Sequence, residues 1–230
     1  GIRITLDHPE IFMVQVRAML KAASGLNNLQ ILLPMVTTVS EVDDAVALIH
    51  RAVHELQEEK EFEVTLPRIG VMVEVPATII QIADLAKRAD FISIGSNDLT
   101  QYLLAVDRNN TRVADLYSSY HPSVLRAVRY VVNEVHRVGK TVSICGEMAG
   151  DPGTAILLMA MGFDSLSMSA SNLLTVRKTV CMTPLSEAKL LLDEVLAYDN
   201  PAKIRATVEA KLTALGLIDL IRPQGSARSS

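Results

Sequence analysis

Glu74, Asn97, Asp98, Arg108 and Cys145 are the side chains whose types and surroundings could do chemistry together. Three short apolar runs lead into them: Gly70 to Val73 before Glu74, Phe91 to Gly95 before Asn97 and Asp98, and Thr141 to Ile144 before Cys145 and Glu147. If these runs are parallel strands, all of those groups gather on the face at the strands' carboxyl ends. Such a site is assembled from residues far apart in sequence.

Each residue has a plain reading beside the chemical one. Glu74 follows Val71-Met72-Val73 and precedes Val75-Pro76, so it stands at or near the end of a strand that proline closes. It is either a surface carboxylate or a buried one, and the buried state is costly unless a cation or donor meets it. Asp98 opens a helical pattern after Gly95-Ser96-Asn97, where ordinary capping accounts for it alone. Paired with Glu74 it offers more, because two strand-end carboxylates, with water and phosphate oxygens completing an octahedron, suit Mg²⁺. Asn97 and the adjacent backbone N–H groups can hold a carboxylate or phosphate.

Arg108 lies ten residues beyond Asp98. Along one straight helix that is about 15 Å, so both can touch one small ligand only if the helix stops early and the segment from Asp107 to Asn110 folds back. Otherwise Arg108 is a helix-end cation or an ion-pair partner. Cys145 is either an inert strand-end thiol or, facing a metal and arginines, a group placed to exchange protons. Glu147 is its neighbour in the turn, as a partner or as a cap. His50 and His54, four apart on a helix flank, lack an evident third metal ligand, and His121 before Pro122 reads as a local hydrogen-bonding residue.

The elements that must position these groups follow from hydrophobic pattern. Strand-like runs occupy Leu29 to Met35, Ile69 to Val73, Phe91 to Gly95, Thr141 to Ile144 and Ser165 to Met168, without strict alternation, as strands buried on both faces require. Between them, Val42, Ala45, Val46, Ile49, Val53 and Leu56 repeat at helical spacing, as do Leu99, Tyr102, Leu103 and Val106. Strand and helix alternate, which means βα units on a parallel sheet. Helix starts are expected at Asp7, with Pro9 and Glu10 behind it, at Ser40 before Glu41 and Asp43, and at His121. Two more helices, Ser186 to Ala197 and Pro201 to Leu215, follow the last strand, and the tail from Pro223 to Ser230 is expected to lack fixed structure.

No GxGxxG or GxxxxGK[ST] turn occurs, and polar residues end several successive strands. Both points favour a (β/α) barrel over an open doubly wound sheet, although about five strands are fewer than the eight of a complete TIM-type barrel. A chain of 230 residues, 49% hydrophobic and 21% charged, can bury one substantial core, and residues 1–222 read as a single partial barrel domain with carboxy-terminal helices. A net charge of -4 without a basic cluster argues against nucleic acid. Apolar stretches are too short to span a bilayer, and two cysteines are too few for a disulfide framework, so the expected place is the cytoplasm. Beginning at Gly1 and entering a helix at once, the chain reads as part of a larger protein.

Three segments carry a family resemblance: Gly70-Val71-Met72-Val73-Glu74-Val75-Pro76; Gly95-Ser96-Asn97-Asp98-Leu99-Thr100-Gln101-Tyr102 with Ala105-Val106-Asp107-Arg108; and Cys145-Gly146-Glu147-Met148-Ala149-Gly150-Asp151. In order and spacing they resemble the phosphoenolpyruvate-utilising enzymes over nearly the whole chain. Within that family the enzyme I branch of the bacterial phosphotransferase system is a close match. Asp107 to Val113 and Leu220-Ile221-Arg222-Pro223 look more like its nitrogen-related members.

The resemblance implies a (β/α)8 barrel, here incomplete, that binds phosphoenolpyruvate and Mg²⁺. It implies Glu74 and Asp98 as metal ligands, and Asn97, Asp98 and Arg108 as the substrate-binding residues, with Arg108 on the phosphate. Cys145 would be the catalytic acid that protonates the enolate carbon of departing pyruvate. A histidine on a separate amino-terminal domain would take the phosphoryl group and pass it to a histidine phosphocarrier protein. The barrel domain would also form a homodimer. Three family strands, with further phosphate-binding arginines, precede the first strand seen here, and Ser96 stands where the family often has threonine. Without those parts the isolated chain is expected to be inactive. Rival implications are a barrel of the pyruvate phosphate dikinase or phosphoenolpyruvate synthase type, a noncatalytic dimerisation module, and an unrelated Mg²⁺-dependent barrel lyase or aldolase with no need of Cys145.

Overall fold

Five apolar runs form the strands β1 (Gln30–Leu33), β2 (Arg68–Val73), β3 (Phe91–Gly95), β4 (Thr141–Cys145) and β5 (Ser165–Ser167) of a parallel sheet ordered β1-β2-β3-β4-β5. The structure is a computed structural model and describes residues 1–217. Register runs from Gln30 opposite Arg68 to Leu33 opposite Val71, and from Ser143 opposite Ser165 to Cys145 opposite Ser167. Every connection between successive strands passes through helix, as parallel pairing demands. This is the α/β architecture expected of an incomplete (β/α)8 barrel, with five parallel strands among the described residues.

Two compact units make up the chain, one comprising residues 1–93 and 134–141, the other 94–133 and the chain from Val142. The first holds α1 (Ile2–Asp7), α2 (Pro9–Ala22), α3 (Val39–Glu59), α4 (Pro76–Ile80) and α5 (Ile82–Arg88). The stripe Val42, Ala45, Ile49, Ala52, Val53 and Leu56 of α3 is buried, which is what its spacing predicts. That helix starts two residues before the expected Ser40. Thr38 is its cap: its hydroxyl accepts the Glu41 N–H while the Glu41 carboxylate accepts from the Thr38 N–H, a reciprocal box. Asp7 likewise proves to close α1, and His8 precedes α2 without a side-chain cap bond. Pro9 takes the first turn as expected.

The second unit holds α6 (Ser96–Leu104), a 3₁₀ turn (Ala114–Leu116), most of α7 (Pro122–Arg137), α8 (Glu147–Gly150), α9 (Pro152–Met161), α10 (Ala170–Met182), α11 (Leu185–Leu196) and α12 (Pro201–Ala214). Nearly all of α9 is buried, against α10, α11, α8 and α12. Asp151 caps it by accepting the Thr154 N–H and the Tyr120 hydroxyl. The helix α10 was not expected from the sequence. Its apolar residues form no stripe, with Leu173 and Leu174 exposed while Val176 and Thr179 are buried. Helices α11 and α12 fall within a residue of their expected limits, and Asn200 caps α12 through the Ala202 and Lys203 N–H groups. The tail from Pro223 to Ser230 lies outside the described residues. Among the described residues no helix is long and apolar enough to cross a membrane.

Candidate active site

In the first unit, Glu74 directly follows β2 and is 4% exposed. Its Oε1 accepts the Met35 N–H at 2.7 Å. Met35, just past β1, has φ +59, a left-handed conformation that a non-glycine residue holds only when neighbours constrain it. The hydrogen bond that the Met35 N–H gives to the buried Glu74 side chain supplies that constraint. Glu74 is therefore the buried carboxylate of the two alternatives, and its strand-end place is fixed by Val75-Pro76, where α4 begins.

The second unit brings together Asn97, Asp98, Arg108 and Cys145. Gly95 ends β3 and α6 starts at once with Ser96, Asn97 and Asp98, while Cys145 ends β4 one residue before Gly146. Two hydrogen bonds join the two strand ends. The Ser96 hydroxyl donates to the Cys145 carbonyl at 2.7 Å, and the Asn97 Oδ1 accepts the Glu147 N–H at 2.9 Å. Gly146 lies between them at φ +102, ψ −165, a region that is essentially glycine's alone. A Cβ there would sit 2.5 Å from Ser96 Oγ and 2.7 Å from Asn97 Oδ1. With its amide oxygen committed to Glu147, Asn97 has its Nδ2 donor end left to offer an anion.

Arg108 reaches this corner because α6 stops early. Ala105 takes a left-handed conformation at φ +53, the Val106 N–H returns to the Gln101 carbonyl, and the Arg108 N–H donates to Gln101 Oε1 at 3.3 Å. Asp107 Oδ1 and carbonyl then accept the Asn109 and Asn110 N–H groups, closing a tight turn. The folded-back segment that the sequence required is thus present. Arg108 Nη1 lies 3.9 Å from Glu147 Oε1, a contact open to solvent and worth little by itself.

Tyr117, unremarked in the sequence, belongs to the same corner. Its hydroxyl donates to the Asn97 carbonyl at 3.4 Å. Burial, then the Glu147 charge, raises its pKa above the ordinary phenol value, so it stays a neutral donor. Gln101 and Ser96 belong to the corner too, through the Arg108 N–H and the Cys145 carbonyl, partners that nothing local in the sequence marks. Glu147 acts through both its backbone and its side chain.

The arrangement can hold an anion through Asn97 and Arg108 beside a half-buried thiol at Cys145. Glu74, directly after β2 in the first unit, and Asp98, in the first turn of α6 in the second, are each hard carboxylate donors of the kind that Mg²⁺ takes. No group of three His, Cys, Asp or Glu side chains suited to a metal occurs among the described residues. His50 and His54 lie exposed on α3, the latter 3.6 Å from Glu58. His121 Nδ1 accepts the Ser123 N–H at the start of α7, the local role expected of it.

Residues 1–184 match the family model described as PEP-utilising enzyme, PEP-binding domain. The chain is 47% identical over 222 residues to a protein of Escherichia coli K12 named phosphoenolpyruvate-dependent phosphotransferase system, covering 96% of this chain and 30% of that one. It is 41% identical over 209 residues to the phosphoenolpyruvate-protein phosphotransferase of Haemophilus influenzae, covering 91% and 36% respectively. It therefore spans about a third of the length of these relatives. Among solved structures a citrate lyase from Burkholderia xenovorans aligns with TM-score 0.55 at 18% identity, over 89% of this chain and 69% of that one, a likeness of fold alone.

Proposed function

This chain belongs to the PEP-utilising enzyme family through its PEP-binding domain, and from that membership we propose that it is the phosphoenolpyruvate- and Mg²⁺-binding part of a phosphoenolpyruvate-protein phosphotransferase. The partial barrel domain expected over residues 1–222 is described as far as Leu217. The observation that carries the reading is the meeting of Asn97, Arg108 and Cys145 at adjoining strand ends, within the segment that matches the family.

Arg108 binds the phosphate, and Asn97 Nδ2 and Asp98 help to hold the substrate. Glu74 and Asp98 are the ligands of Mg²⁺, which when bound neutralises charge on the phosphoryl oxygens. Phosphoryl transfer asks mainly for positioning and charge neutralisation, and these residue types provide both. As the phosphoryl group leaves for a histidine on a separate domain, the enolate of pyruvate remains. The Cys145 thiol gives its proton to the enolate methylene carbon, whose electron pair becomes the new C–H bond, and Cys145 is left as thiolate. The phosphohistidine then serves a histidine phosphocarrier protein. The domain pairs with a second copy of itself and works in the cytoplasm.

Calorimetric titration with phosphoenolpyruvate tests the reading. The complete polypeptide carrying these residues binds it in Mg²⁺ and loses binding in EDTA, and Arg108→Ala and Asp98→Asn each weaken it at least about ten-fold. Binding indifferent to both substitutions and to Mg²⁺ overturns the assignment.

A further inference from the structure

Proton delivery to an enolate is sensitive to placement, yet Cys145 ends a strand and is followed by a glycine, so its own backbone does little to set the height of the thiol. Two side chains from another strand's end do. Ser96 Oγ donates to the Cys145 carbonyl at 2.7 Å, and Asn97 Oδ1 accepts the Glu147 N–H at 2.9 Å, so both sides of Gly146 are pinned to the first turn of α6. Ser96 is itself 2% exposed, so water does not compete readily for the carbonyl it holds. Gly146 packs so closely under the two side chains that no Cβ fits, which leaves the turn little room to shift.

We propose that Ser96 is a positioning residue for proton transfer: it fixes the end of β4 so that the Cys145 thiol faces the enolate carbon, without itself touching substrate. This rests on the proposed role of Cys145. It accounts for a hydroxyl at this position on grounds other than capping, since Ser96 makes no cap bond to its own helix. A threonine carries the same donor and would serve equally.

The split between binding and proton transfer distinguishes positioning from general damage. Exchange of the methyl protons of pyruvate with D₂O in the complete polypeptide with Mg²⁺, followed by NMR, reads the proton step, and calorimetry reads phosphoenolpyruvate affinity. Ser96→Ala is expected to slow exchange about ten-fold while affinity stays within about two-fold, and Ser96→Thr to restore the rate. If wild type exchanges, Cys145→Ala abolishes exchange, and Ser96→Ala leaves the rate unchanged or lowers affinity in parallel, the positioning role is wrong while the site assignment stands. If wild type neither exchanges nor binds, the functional reading fails and this inference with it.

Discussion

Replacing Gly146 with alanine strikes a point where α6 and the turn after β4 touch with no space to spare. The new Cβ would meet Ser96 Oγ at 2.5 Å and Asn97 Oδ1 at 2.7 Å, both well inside van der Waals contact. Neither atom is the free end of a flexible chain, because each is held in a hydrogen bond, to the Cys145 carbonyl and the Glu147 N–H. The backbone at φ +102, ψ −165 adds a conformational penalty of about 1–3 kcal/mol for any residue with a side chain. Relieving the contact by giving up one of the two bonds adds about 1 kcal/mol. Gly146→Ala is therefore expected to lower unfolding stability by about 2–4 kcal/mol in urea titrations followed by far-UV circular dichroism. The Glu147 amide should also exchange faster with D₂O. In a Ser96→Ala background the nearest clash is gone, and the cost of the second substitution should fall by about 1 kcal/mol while the backbone part persists. A Gly146→Ala protein within about 0.5 kcal/mol of its parent, with the Glu147 amide equally protected, would refute the close packing described here.

Two further outcomes follow from the same structure. Gln101→Ala removes the acceptor of the Arg108 N–H, so the segment after α6 loosens; phosphoenolpyruvate affinity should drop several-fold with little change in thermal stability, and unchanged affinity would show that the turn at Asp107 suffices. Glu41 is pushed upward by partial burial, but the N–H groups of Thr37 and Thr38 and the Thr37 hydroxyl outweigh this and hold its pKa below the usual 4.5. Its charged form thus stabilises the folded chain above that pH, and the contribution is lost as pH falls through the lowered value. Glu41→Gln, which mimics the neutral acid, should cost about 1 kcal/mol at pH 7, and the cost should shrink progressively as the pH is lowered below 4.5 when melting curves are compared.

The strands and most helices were legible in the sequence because their signals are local. Runs such as Ile69 to Val73 are apolar on both faces, and a buried parallel strand leaves no other pattern. Where a signal depends on reciprocity it slipped: Ser40 looks as good a cap as Thr38 until Glu41 is seen to answer the latter. The helix α10 was missed because its one buried side holds only Val176 and Thr179, too little to impose a period.

The chemistry divides in the same way. Residue types and order alone determined the candidates Glu74, Asn97, Asp98, Arg108 and Cys145, since carboxylates, an amide, a guanidinium and a thiol at strand ends point to anion and Mg²⁺ chemistry whatever their exact separation. Sequence also posed a condition, that Arg108 could join the site only if α6 broke early. Tertiary structure decided it, through Ala105 in a left-handed turn and Gln101 accepting the Arg108 N–H. Nothing in the sequence ties Ser96 to Cys145, 49 residues away, or shows that Gly146 must be bare. Those facts depend on distances of a few ångströms between segments whose approach is set by the packing of the whole unit, and no local pattern encodes such a distance.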